Sequence, residues 1–224
     1  MTTRSRRRRG WASLGLTVGF GLIATAGIGS AINPPATPQL GTVPAVQTPA
    51  GPTALPASQL GTAAGPTAMT GAIPRRLAVP SLHVYAPIVP VGVLPTGALA
   101  VPDNPQVLGW WQGGARPASG LGGIVLDGHV DTAANGPGAL FHLSELRPGD
   151  PLMLSTDHGS RRYVIAALRS YPKADLPAEV FAPSRQPRLV IITCGGAFNH
   201  KTRQYAYNIV AYAVPASGAL AAHR

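Results

Sequence analysis

Between residues 75 and 215 the chain never sustains an apolar run long enough for a helical core; it breaks into short β-branched stretches separated by Gly, Pro, Asp and Asn. The runs are Leu77 to Val79, Ile88 to Val93, Gly123 to Leu126, Pro151 to Leu154, Tyr163 to Ala167, Leu189 to Thr193 and Tyr205 to Val214. Residues of this kind at this spacing predict strands joined by tight connections, so the expected domain is a mostly β barrel or sandwich. The stretch is long enough for one core. Only Gly138 to Leu146, with Leu140, Leu143 and Leu146 three apart, predicts a short helix, ended by Pro148-Gly149.

The residues before this domain are of two other kinds. Trp11 to Ile32 is 22 residues without a charge, enough at about 1.5 Å per residue to cross a hydrocarbon core of roughly 30 Å. Residues 1–10 carry five arginines between Arg4 and Arg9, so a cytoplasmic tail, a membrane anchor over 11–32 and an extracytoplasmic remainder are expected. The rival is a cleaved secretory signal ending near Ala24-Thr25-Ala26. Residues 33–74, rich in Pro, Ala, Thr and Gly and with no charge, predict a disordered linker, and 216–224 a short tail.

Of the ten net positive charges, five belong to the Arg4 to Arg9 run; from Arg75 onward thirteen basic residues face eight acidic ones. That excess is small and scattered, and no aromatics interleave with it, so nucleic acid is not an expected partner.

Cys194 is the only cysteine, so it forms no internal disulfide. It closes the apolar run Leu189 to Thr193 just before Gly195-Gly196, which predicts a thiol at a strand end; a buried core cysteine is the alternative. His129 follows the run ending at Asp127 and stands next to Gly128, a suitable place for a general acid or base. In an extended strand Asp127, His129 and Asp131 would share a face, which leaves a metal site conceivable but weakly supported. A Cys, a His 65 residues upstream and an Arg would suit thioester acyl transfer.

Taken together, Leu77 to Leu82, Gly128-His129-Val130-Asp131, Leu146 to Asp150, Ile192 to Phe198 and Asn208 to Tyr212 resemble the sortases of Gram-positive bacteria. The continuation Cys194-Gly195-Gly196-Ala197-Phe198, and Val101-Pro102-Asp103 before Gly109-Trp110-Trp111, are most similar to the actinobacterial class F. The resemblance implies an eight-stranded β-barrel with one or two short helices, and a cysteine transpeptidase needing no cofactor or metal. It implies cleavage of sorting-signal peptides of the Leu-Pro-x-Thr-Gly kind, a thioacyl intermediate on Cys194, and transfer to a cell-wall peptidoglycan amine. His129 would be the acid. The arginine expected on the last strand falls on Ala206, so Arg203 is the substitute candidate, with Arg169 second and backbone amides the remaining possibility. The alternatives are a weakened or inactive sortase-like barrel that binds peptide or wall polymer, and an L,D-transpeptidase-type cell-wall enzyme.

Overall fold

The computed structural model describes residues 39–45, 71–117, 119, 122–182 and 186–216. The expected anchor over 11–32 and most of the expected linker lie outside these residues, and among the described residues no helix is long and apolar enough to cross a membrane.

Among the described residues eleven strands are formed: β1 (Leu40–Gly41), β2 (Pro74–Val79), β3 (Val84–Val91), β4 (Leu108–Trp111), β5 (Gly123–Asp127), β6 (Asp131–Thr132), β7 (Gly136–Pro137), β8 (Pro151–Thr156), β9 (Gly159–Pro172), β10 (Arg188–Asn199) and β11 (Gln204–Pro215). The main sheet runs β1-β9-β11-β10-β5-β4-β3-β2-β8, and β8 pairs back onto β9. Eight strands thereby close a barrel, with β1 added outside it. Closure removes the unpaired edges that an open sheet would present. The β8 and β9 strands meet at an exposed turn over Asp157-His158, where Thr156 pairs with Gly159.

β5 and β10 lie side by side in parallel, from Arg188 opposite Gly123 to Ile192 opposite Asp127. Both are buried on both faces, which is why their sequences are continuous apolar runs rather than alternating ones. Ile124, Leu126, Leu189 and Ile191 point into the barrel with Leu77, Leu108, Trp110 and Leu154. Val125, Val190 and Ile192 point outward into a second apolar cluster with Val180, Val210 and Tyr212. Side chains alternate along a strand, so Asp127 and Cys194 belong to this outer face.

The strand expectations hold with shifted ends, while β4 is an addition: its four residues are hidden in the sequence by Gly109. The helix expected over Gly138 to Leu146 is reduced to a 3₁₀ turn at Leu143–Glu145. Leu140, Leu143 and Leu146 are all buried, and a spacing of three suits the three-residue turn of a 3₁₀ segment better than an α-helix. Two further 3₁₀ turns cover Pro80–Leu82 and Ala178–Val180.

Residues 39–45 sit inside the stretch expected to be linker, yet β1 is placed on the domain, with Leu40 opposite Leu168 and Gly41 opposite Ala167. Gln39 Nε2 donates to Ser170 O at 3.0 Å, and the Arg169 guanidinium donates to the carbonyls of Leu40, Gly41 and Leu168. A composition without charge does not predict this strand, because its partners, β9 and the Arg169 guanidinium, lie about 129 residues away in the chain.

Candidate active site

Cys194 is half-buried on β10, directly opposite Asn208 on β11. The strand does not stop at Gly195-Gly196 as expected. It passes through a bulge between Gly195 and Phe198 and continues to Asn199. Gly196 takes φ +78°, the left-handed region, and a Cβ there would lie 2.5 Å from the Tyr207 ring, so the position needs glycine.

His129 reaches the same place from β5. Gly128 N donates to Ile192 O at 3.2 Å and Thr193 Oγ1 donates to Gly128 O at 2.8 Å, which fasten the segment after β5 to the middle of β10. Both His129 and Cys194 line one cavity of about 540 Å³, within the usual size range of ligand pockets. Its apolar walls include Leu99, Leu176, Ile192, Trp111 and Phe181, the last two meeting edge to face at 5.5 Å between centroids.

The three residues of the conceivable metal site do not converge, and among the described residues no cluster of His, Cys, Asp or Glu is placed to hold a metal ion. The alternation that would have aligned them ends with β5 at Asp127; Asp131 belongs to the separate β6–β7 ladder. Asp131 instead accepts a 2.6 Å hydrogen bond from the Tyr205 hydroxyl. Burial, followed by that bond, pushes the Tyr205 phenol above its ordinary value.

Asp127 is 5% exposed and lines the cavity, and neither carboxylate oxygen has a hydrogen-bond partner. The amides of Asp127 and Gly109 lie close enough to favour the charged form somewhat without forming bonds of good geometry. Burial outweighs them and pushes the carboxyl up to about 7.

Arg203 occupies the turn between β10 and β11 at φ 56°, exposed and outside the cavity lining. Arg169 is committed to β1. The cation at the cysteine is one that sequence reasoning missed: Lys173, just beyond β9, places its Nζ 3.0 Å from Cys194 Sγ and 2.8 Å from Asn208 Oδ1. Its backbone N–H donates to Ala206 O at 3.0 Å. A lone Lys in Tyr171-Pro172-Lys173-Ala174-Asp175 has no motif spacing relative to Cys194; only strand order makes them neighbours.

Residues 77–216 match the family model described as the sortase domain. The chain belongs to the sortase family. Among solved structures, sortase A from Corynebacterium diphtheriae (a lid mutant) is similar at TM-score 0.51 and 17% identity, over 66% of this chain and 72% of that one. Sortase C1 from Streptococcus agalactiae is similar at TM-score 0.52 and 13% identity, over 66% and 69%. At these identities the likeness is one of fold, and it agrees with the closed eight-stranded barrel. No curated protein sequence matches the chain. Membership of the sortase family overturns the L,D-transpeptidase alternative, another β-rich, exported class that uses Cys and His.

Proposed function

We propose that this sortase-family chain is an active cysteine transpeptidase, most similar to class F, with Cys194 as nucleophile and His129 as general acid. The observation that supports it is the lining of one apolar-walled cavity by Cys194, His129 and a cation, on the strands of a sortase domain. The thiolate attacks the Thr carbonyl of a Leu-Pro-x-Thr-Gly-like sorting signal. The C–S bond forms, the carbonyl π electrons move to oxygen, and collapse breaks the C–N bond as imidazolium protonates the departing Gly amine. Neutral His129 then takes a proton from the incoming wall amine as that amine displaces Sγ. The charge on the oxyanion needs a donor. Arg203, from the hairpin turn, is the sequence candidate for it.

Sortases are typically membrane-anchored with the catalytic domain outside the cytoplasm, and the basic, apolar and linker segments of residues 1–74 support that arrangement here. Incubating the full-length protein with a sorting-signal peptide and an amine acceptor tests the proposal. Cleavage and acceptor ligation are expected, abolished in Cys194→Ala and reduced at least about a hundredfold in His129→Ala. Peptide binding without cleavage in the wild-type protein would support the inactive-barrel reading, which Ala206 favours.

A further inference from the structure

We propose that Lys173 is the catalytic cation of this site: its ammonium pairs with the Cys194 thiolate and then supports the oxyanion, in place of an arginine on β11. The inference deepens the transpeptidase reading and rests on it for the second step only.

The geometry carries it. Cys194 and Asn208 are opposite one another on β10 and β11, and Asn208 is opposite Tyr171 on β9. Three neighbouring strands thus form one row, and Lys173 lies two residues beyond Tyr171 on the same side. Ala206 lies two residues before Asn208 on that side and brings only a methyl group to it. A long side chain from 206 would compete for the space between β9 and β11, but the small residue leaves it to a lysine arriving from the next strand.

Asn208 is 7% exposed, and its Oδ1 accepts from Nζ at 2.8 Å, which fixes the ammonium over Sγ. An ammonium has three donors. Sγ and Oδ1 take two, leaving one to meet an oxygen formed on a carbon bonded to Sγ. As the thiolate attacks, negative charge moves from sulfur to that oxygen, and the same fixed cation serves both ends of the transfer.

The test begins with a readout that needs no substrate: iodoacetamide alkylation of the only cysteine in the full-length protein, followed across pH. The titratable groups around Sγ are Lys173, His129, Tyr205 with its partner Asp131, and Asp127. Loss of the ammonium should move the alkylation midpoint to higher pH and slow the reaction near neutrality by about tenfold in Lys173→Ala. Lys173→Arg, and Lys173→Ala combined with Ala206→Arg, should keep most of the wild-type profile. A purely structural lysine would not be rescued by a guanidinium placed from another strand. An unchanged profile in Lys173→Ala, or the same shift produced by Arg203→Ala instead, overturns the assignment. Peptide cleavage is then measured on the same proteins. A shifted profile with no cleavage by wild type refutes the transpeptidase reading and keeps the thiolate pairing. Wild-type cleavage that is undiminished in Lys173→Ala refutes the role of Lys173 and keeps the transpeptidase.

Discussion

Gly109 stands opposite Asp127 across β4 and β5, and a Cβ on Gly109 would fall 2.2 Å from the Asp127 Oδ1. The glycine is what lets a carboxyl occupy the buried floor of the cavity, where no partner meets it.

That burial gives a pH dependence with a definite sign. The folded carboxyl is raised from 3.8 to about 7, so between those values the folded chain holds a proton that the unfolded chain has lost. Stability therefore falls as pH rises from 3.8 towards 7, and the full penalty applies above 7. Asp127→Asn removes it, with a ceiling of about 4 kcal/mol at roughly 1.4 kcal/mol per pH unit. Chemical denaturation should find the variant more stable than wild type at pH 8 and the two equal near pH 4. Equal stabilities at both would sink the idea.

Gly138 lies under the His129 segment: a Cβ there would meet His129 O at 2.4 Å and Pro105 O at 2.9 Å. Both are backbone atoms, which cannot swing away as a side chain can. Gly138→Ala should destabilise the fold by about 1–3 kcal/mol. It should also lower peptide cleavage under conditions where the protein remains folded, because the displaced carbonyl belongs to His129. Cleavage equal to wild type in the folded variant would show that the segment yields without moving the imidazole.

The Tyr205–Asp131 hydrogen bond joins β11 to β6, just after His129. Tyr205→Phe should cost about 1.5–3 kcal/mol, the range for a bond to a charged acceptor. A double-mutant cycle with Asp131→Ala should recover most of that as coupling energy, measured by denaturation. Simple additivity of the two changes would mean that the bond contributes nothing.

Arg188 is 2% exposed, and its guanidinium donates to the carbonyls of Glu179 and Ala182, holding the turn that carries Phe181 to the cavity wall. Arg188→Met fills similar space without those bonds. The peptide KM should rise several-fold while Cys194 alkylation stays at its wild-type rate, since the thiol is positioned by β10 itself. A slower alkylation would instead show that the turn props up the nucleophile.

The barrel was legible because its strands keep β-branched runs between breaker residues, and two strands departed from that pattern through contacts distant in sequence. β1 exists through Arg169, and β4 is masked by the glycine that Asp127 requires. Of the candidate site, Cys194 and His129 stand out in the sequence because Cys194 closes an apolar run before glycine and His129 follows one just after glycine. Lys173 does not. Its contact with Sγ is made laterally through β11, which follows both residues in the chain, and no local spacing encodes a row across three strands. Arg203, the nearest substitute in sequence for the arginine expected at Ala206, is placed by the β10–β11 turn on an exposed corner.

The parallel pairing of β5 with β10 means that His129 and Cys194 meet through strand register and not through the chain between them. A cut in the exposed Asp157-His158 turn would put the imidazole on one fragment and the thiol, with Lys173, on the other. Neither fragment alone would hold both the imidazole and the thiol. Their reassembly along β8–β9 and β5–β10 would restore the pair, so under the proposed transpeptidase function any regained activity would report that the two halves have been brought together.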